Sequence, residues 1–134
     1  MTRYLQIPFV DKGRTFQGAD CYGLVKLYFK NELNINIPET NITAEQPNRI
    51  MINYLNEISK NWEEIQHPET NCVIALAMHE NHPKLVTHFA VMINDKKVLH
   101  TLRKINAHIV DVDNIQIKPF IKGYFRWKGD KQWH

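Results

Sequence analysis

Apolar residues recur at helical spacing just after the first quarter-turn-rich stretch of the chain, at Cys21, Leu24, Val25, Tyr28 and Phe29. That period predicts a helix from about 20 to 31. Asp20 stands where an N-cap carboxylate accepts hydrogen bonds from first-turn amides. Gly23 lies inside this helix, where it costs about 1 kcal/mol relative to alanine. Close approach of another backbone would explain it, and the strand carrying His88 is the expected neighbour. A second helix is predicted over 48–61, with Ile50, Met51, Tyr54, Leu55 and Ile58 on one face. Residues 62–66 either extend it or turn before Pro68. Residues 1–18 read as an irregular lead-in, extended at Ile7-Pro8 and turning at Asp11-Lys12-Gly13 and Gln17-Gly18. Residues 31–47, rich in Asn and Thr with Pro38 and Pro47, read as a loop.

The pattern then changes period. Residues 72–78 form a continuous apolar run, predicted to be a buried strand, and a polar loop follows over 79–84. Alternation over 86–93 predicts a strand covered on both faces. A turn at 94–97 leads to a returning strand over 97–102. Further strands are predicted over 105–112 and 121–127, with 115–119 a connector or short edge. Helices first and an antiparallel meander afterwards make an α+β fold. No repeat or linker divides the chain, so one domain is expected over 1–134.

Bulk properties narrow the class. The 134 residues are 43% hydrophobic and 23% charged, with a formal net charge of +3. A mildly basic balance tolerates anionic polymers without requiring them. The densest basic group is only Arg126-Trp127-Lys128, so no nucleic acid partner is expected. Two cysteines, Cys21 and Cys72, build no disulfide framework and suit a reducing compartment. The first residues lack the apolar core of a signal peptide. The run from Cys72 to Met78 is too short to cross a bilayer. Cytoplasmic synthesis without membrane insertion is expected, any route outside depending on a carrier, a lysis step or a particle.

Candidate chemistry centres on Cys21. A thiol at a helix start feels the positive end of the dipole, which favours thiolate. A base and an orienting group complete a nucleophilic set. His88 and His100 flank the predicted turn at similar distances, which would set them across from each other, about 5 Å apart. A shifted register would bring Asn106 or His108 into the place of His100. Cys72, in an apolar run, reads as core. His79-x-x-His82, with Cys72 or His67, has metal-ligand spacing but no fixed fourth ligand. No metal or cofactor is expected. Phe120, Tyr124, Phe125, Trp127 and Trp133 read as core or partner contacts, and His134 as a frayed end.

The segment Asp20-Cys21-Tyr22-Gly23-Leu24-Val25 resembles the Asp-Cys-x-Gly-Leu/Phe-Val signature of the NlpC-type cell-wall peptidases, papain-like cysteine hydrolases. His88-Phe89-Ala90-Val91-Met92 is similar to their second motif, and Val98-Leu99-His100-Thr101 to their third. Ile7-Pro8-Phe9 with Gly13 is similar to their Pro-Tyr-x-x-Gly-Gly lead-in. The resemblance implies a papain-like fold with N-terminal helices on a β-meander. It implies Cys21 as nucleophile, His88 as base and His100 as orienter, acting on peptidoglycan stem peptides between D-glutamate and a diamino acid. It also implies substrate contacts at Phe9, Asp20 and Tyr22. Two of these depart from the pattern: Phe9 replaces the usual Tyr and Tyr22 a common Ser. Those losses point to shifted specificity or a vestigial site. The short chain, the missing export signal and Gly123-Tyr124-Phe125-Arg126 resemble the phage-tail branch. That implies a phage or prophage tail component, located in the virion, with other tail proteins as partners. The alternatives are a non-catalytic tail assembly or tail-tip protein on the same fold, and acyl transfer.

Overall fold

The computed structural model describes residues 2–43, 46–102 and 104–129. Trp133 and His134 lie outside the described residues. The helix predicted around Cys21 is α1 (Cys21–Leu33). Asp20 caps it, its Oδ1 accepting from the Gly23 N–H at 2.7 Å. Asn34, left-handed at φ 55°, ends it. The lead-in is less irregular than its sequence suggests. A single turn of 3₁₀ helix covers Thr2–Tyr4, and a small hairpin pairs β1 (Arg14–Thr15) with β2 (Gly18–Ala19). This hairpin, not the histidine strand, explains Gly23. A Cβ there would sit 2.0 Å from the carbonyl oxygen of Gly13.

The second helix, α2 (Pro47–Asn61), begins on proline, with no side-chain hydrogen bond from Gln46 to cap it. None of its residues is fully buried. Ile50, Met51, Tyr54 and Ile58 are half covered, whereas Leu55, expected on the same face, is exposed. Met51 and Leu55 are four apart, and α2 rests on the body of the protein along a strip too narrow to cover both.

Six further strands form one sheet: β3 (Trp62–Ile65), β4 (Val73–Leu76), β5 (His88–Met92), β6 (Lys97–Leu102), β7 (Ile105–Asp111) and β8 (Ile121–Trp127). Their order is β3-β8-β4-β5-β6-β7, with every neighbouring pair antiparallel. The meander expectation therefore holds for β4 to β7 only. The last strand returns across the sheet and lodges between β3 and β4. The segment 62–65 is a strand rather than a helical extension because Trp62 pairs in register with Trp127. Their rings meet edge-on at 5.0 Å, and Trp62 also meets Phe29 of α1 at 5.7 Å. Arg126 ties Glu63 and Glu69 to the same edge.

One face of the sheet, with Val73, Ala75, Val91, Leu99 and Phe125, packs under α1. The other buries Cys72, Ile74, Leu76, Ala90, Met92 and Val98 beneath Ile117. The connector expected over 115–119 runs into a short 3₁₀ turn over Lys118–Phe120. Among the described residues no helix is long and apolar enough to cross a membrane.

Candidate active site

Asp20 does more than cap α1. Its Oδ1 also takes the Arg14 guanidinium at 2.8 Å, and its Oδ2 accepts from the Lys12 N–H at 2.8 Å. Arg14 continues to Glu39 at 2.9 Å, lies over the Tyr22 ring at 5.5 Å, and donates to the carbonyl of Gly13. One carboxylate thus locks the lead-in hairpin to the helix start and fixes where Cys21 emerges. Arg14 was not among the residues singled out from sequence. The only local signal is its spacing, six residues before an N-cap acid.

Cys21 is half-buried at the first position of α1. Burial, and then the negative charge of Asp20, push its thiol up to about 12. The backbone N–H groups of Phe89 and Tyr22 and the charge of Arg14 pull the other way but do not win. The thiolate expected from the helix dipole is therefore not the resting form. A dipole end contributes about 0.3–1 kcal/mol at ordinary sites, and desolvating the anion outweighs it.

The two histidines are neighbours, but not directly across from each other. The β5–β6 register pairs Val91 with Leu99 and Met92 with Val98. Carried on, it sets His100 opposite Ala90 and leaves His88 two residues away on the same face. The reason is the turn. Asn94 Oδ1 accepts from the N–H groups of Lys96 and Lys97, so the loop centres on Asp95, one residue later than a symmetric pairing of the histidines requires. The rings still meet edge-on at 6.0 Å. His88 opposes Leu76 in the β4–β5 ladder. At its other side His100 faces His108 across β7, with ring centroids 4.3 Å apart. His108 is half-buried and its Nδ1 lies 2.9 Å from the Asn106 carbonyl oxygen. His100 lies between His88 and His108, its ring tilted 51° to that of His108.

Burial, then the neighbouring His100, hold His88 down to about 3. Burial, then His108, hold His100 down to about 4. Both rest as neutral imidazoles. His88 Nε2 and both ring nitrogens of His100 have no hydrogen-bond partner among the described residues. Each such buried group costs about 1–3 kcal/mol. Concentrating three of them in one ring pair marks a place kept for something other than stability.

A cavity of about 230 Å³ opens beside these groups. Cys21 and His88 both line it, as do Phe9, Asp20 and Tyr22, the three positions implicated in substrate contact; His100 does not. Its remaining wall is mostly apolar, from Val25, Trp62, Val73, Phe89 and Phe125, and α2 closes it with Ile50, Tyr54 and Ile58. The incomplete burial of α2 follows, because its apolar face looks onto this space. Tyr22 is held in the wall by its hydroxyl donating to the Pro38 carbonyl and by an edge-on contact with Phe89 at 6.2 Å.

These features can be compared with known proteins. The NlpC/P60 family profile matches residues 6–128. The chain belongs to the NlpC/P60 family. No curated protein sequence matches it significantly. Among solved structures it is similar to an NlpC/P60 family protein of Bacillus cereus ATCC 10987, at 21% identity and TM-score 0.68 over 94% of this chain and 37% of that one. It is also similar to a lipoprotein-like NLP/P60 family protein of Staphylococcus aureus subsp. aureus Mu50, at 18% identity and TM-score 0.64 over 96% and 39%. A third similar structure is the NlpC/p60 domain of the peptidoglycan hydrolase SagA, at 13% identity and TM-score 0.60 over 93% and 91%. This chain spans about two-fifths of the length of the first two and nearly all of the third. At these identities the likeness is one of fold, an α+β NlpC/P60 architecture.

The other candidates of this NlpC/P60 domain fall elsewhere. Cys72 is buried on the far face, and burial pushes its thiol up to about 11. The His79 and His82 rings lie 4.8 Å apart, and His79 Nδ1 is used locally by the Asn81 N–H. Among the described residues no three His, Cys, Asp or Glu side chains gather as metal ligands.

Proposed function

We propose that this NlpC/P60 domain, taken as one domain over 1–134, is a cysteine peptidase or amidase that cleaves peptidoglycan stem peptides with Cys21, His88 and His100. The observation that carries the reading is the wall shared by Cys21 and His88, whose buried Nε2 lacks a partner among the described residues. A neutral thiol beside a neutral imidazole is the starting state. Cys21 attacks the amide carbonyl as His88 takes its proton, then His88 gives that proton to the leaving amine. Water, deprotonated by His88, resolves the thioester. His100 orients His88 and supports its charged form. The Cys21 backbone N–H at the helix start stabilises the oxyanion. Phe9, Asp20 and Tyr22 line the space for the peptide, with Asp20 acting through the frame it locks. In this reading the domain is made in the cytoplasm and acts from a phage or prophage tail, bound to other tail proteins.

One observation favours the second reading, a tail assembly or tip protein without chemistry. Burial and the charge of Asp20 keep the resting thiol from ionising, although the Phe89 N–H favours the thiolate. The test is wild type against Cys21→Ala on purified peptidoglycan, reading new free amines by mass spectrometry. Fragments from wild type alone are expected. Wild-type protein that releases none, by itself or in assembled tails, sinks the peptidase reading, and particles indifferent to Cys21→Ala then favour the structural one.

A further inference from the structure

We propose that the cavity beside Cys21 takes an uncharged part of the substrate and rejects a free carboxylate, so that amidated stem peptides are cut in preference to their free-acid forms. This rests on the peptidase reading above.

The described residues lining the cavity include two carboxylates, Asp20 and Glu57, and no lysine or arginine. Arg14, the cation nearest to Asp20, lies outside that lining and is committed to Asp20 and Glu39. Asp20 has both oxygens occupied by Gly23, Lys12 and Arg14. Among the described residues Glu57 accepts one hydrogen bond, from Asn61 at 2.7 Å, and a carboxylate has capacity for more. The negative field reaches the wall: Glu57 and Glu39 both add to burial in raising the Tyr22 phenol.

A stem peptide carries carboxyl groups close to the bond this family attacks. A carboxylate entering here would lose its water against apolar side chains, meet no lysine or arginine among the described lining residues, and oppose Glu57. A carboxamide avoids all three penalties. Its N–H₂ can donate to Glu57, and being neutral it leaves no charge to desolvate. The cavity therefore discriminates by desolvation and charge, with Glu57 the specificity-determining residue. It lies on α2.

The experiment uses two synthetic stem peptides, identical except that the free α-carboxyl of the D-glutamyl residue is left as acid or amidated. kcat/KM is measured for wild type and for Glu57→Gln. The amide should be preferred at least tenfold by wild type, and Glu57→Gln should narrow that ratio at least threefold, chiefly by raising the free-acid rate. Equal or reversed preference overturns the proposal, as does a ratio that Glu57→Gln leaves unchanged. If neither peptide is cut, the peptidase reading fails separately, and calorimetric binding of both peptides to Cys21→Ala decides this one. Tighter binding of the amide supports it; equal, reversed or undetectable binding overturns it.

Discussion

Between pH 6.5 and about 4.5 the folded domain should lose about 5 kcal/mol of stability through His88 and His100 alone. In the unfolded chain each imidazole takes up a proton near 6.5, whereas in the fold His88 resists until about 3 and His100 until about 4. The unfolded state therefore binds more protons throughout this window, and stability rises with pH. It is fully present above 6.5 and drains away as pH falls toward the folded values. One unit corresponds to about 1.36 kcal/mol per group, so two units across two groups give about 5 kcal/mol. That is comparable with the whole stability of a small domain, about 5–15 kcal/mol. The assay is urea unfolding followed by tryptophan fluorescence at stepped pH, for wild type and for the double variant His88→Gln/His100→Gln. Titrating groups that do not touch the pair are common to both and cancel in the difference. Wild type should steepen by up to two protons in this window and the variant should not. Parallel curves would refute neutral burial of the pair and, with it, the neutral starting state of the proposed mechanism.

Gly23→Ala should destabilise the domain by about 2 kcal/mol or more, although alanine normally gains about 1 kcal/mol in a helix, because its Cβ meets the Gly13 carbonyl at 2.0 Å. Thermal unfolding checks this, and a raised Tm would show that the hairpin yields at no cost. Alkylation of Cys21, in a Cys72→Ala background, should quicken about tenfold per unit from roughly pH 7 to 10, as the thiolate population climbs toward its value of about 12. Mass spectrometry of the adduct follows it, and a plateau below about pH 8 would mean a thiolate already stabilised at rest.

What the sequence made legible was local. The helix after Asp20, its cap and the bounds of 97–102 and 121–127 depend on neighbours within a few residues, and they appear as read, with the helix running on to Leu33. What escaped depends on distant chain. Trp62-Glu63-Glu64-Ile65 has no strand pattern of its own and becomes one only because Trp127 and Arg126 arrive sixty residues later. The neighbour of Gly23 was misplaced because the lead-in hairpin carries only two residues per strand. The histidine register turned on one residue of loop length, which the Asn94 side chain sets. Cys21 reads as a helix-start thiolate until the fold is known, since burial beneath Phe89 and beside Asp20 is not encoded next to it. The signature residues thus showed which groups meet, and the fold was needed to show in what protonation state they meet.

The insertion of β8 between β3 and β4 also sets an order of assembly during synthesis. The strands β4 to β7 and α1 can gather as soon as residue 111 has left the ribosome, since each pairs with a near neighbour in the chain. Both sides of the seam stay bare until Trp127 emerges. For that interval β4, whose Val73–Leu76 residues are all buried in the finished protein, presents an unpaired apolar edge to any other nascent chain. The hazard of misassembly is confined to those two edges, β3 and β4, and to the interval before β8 arrives and seals them from within.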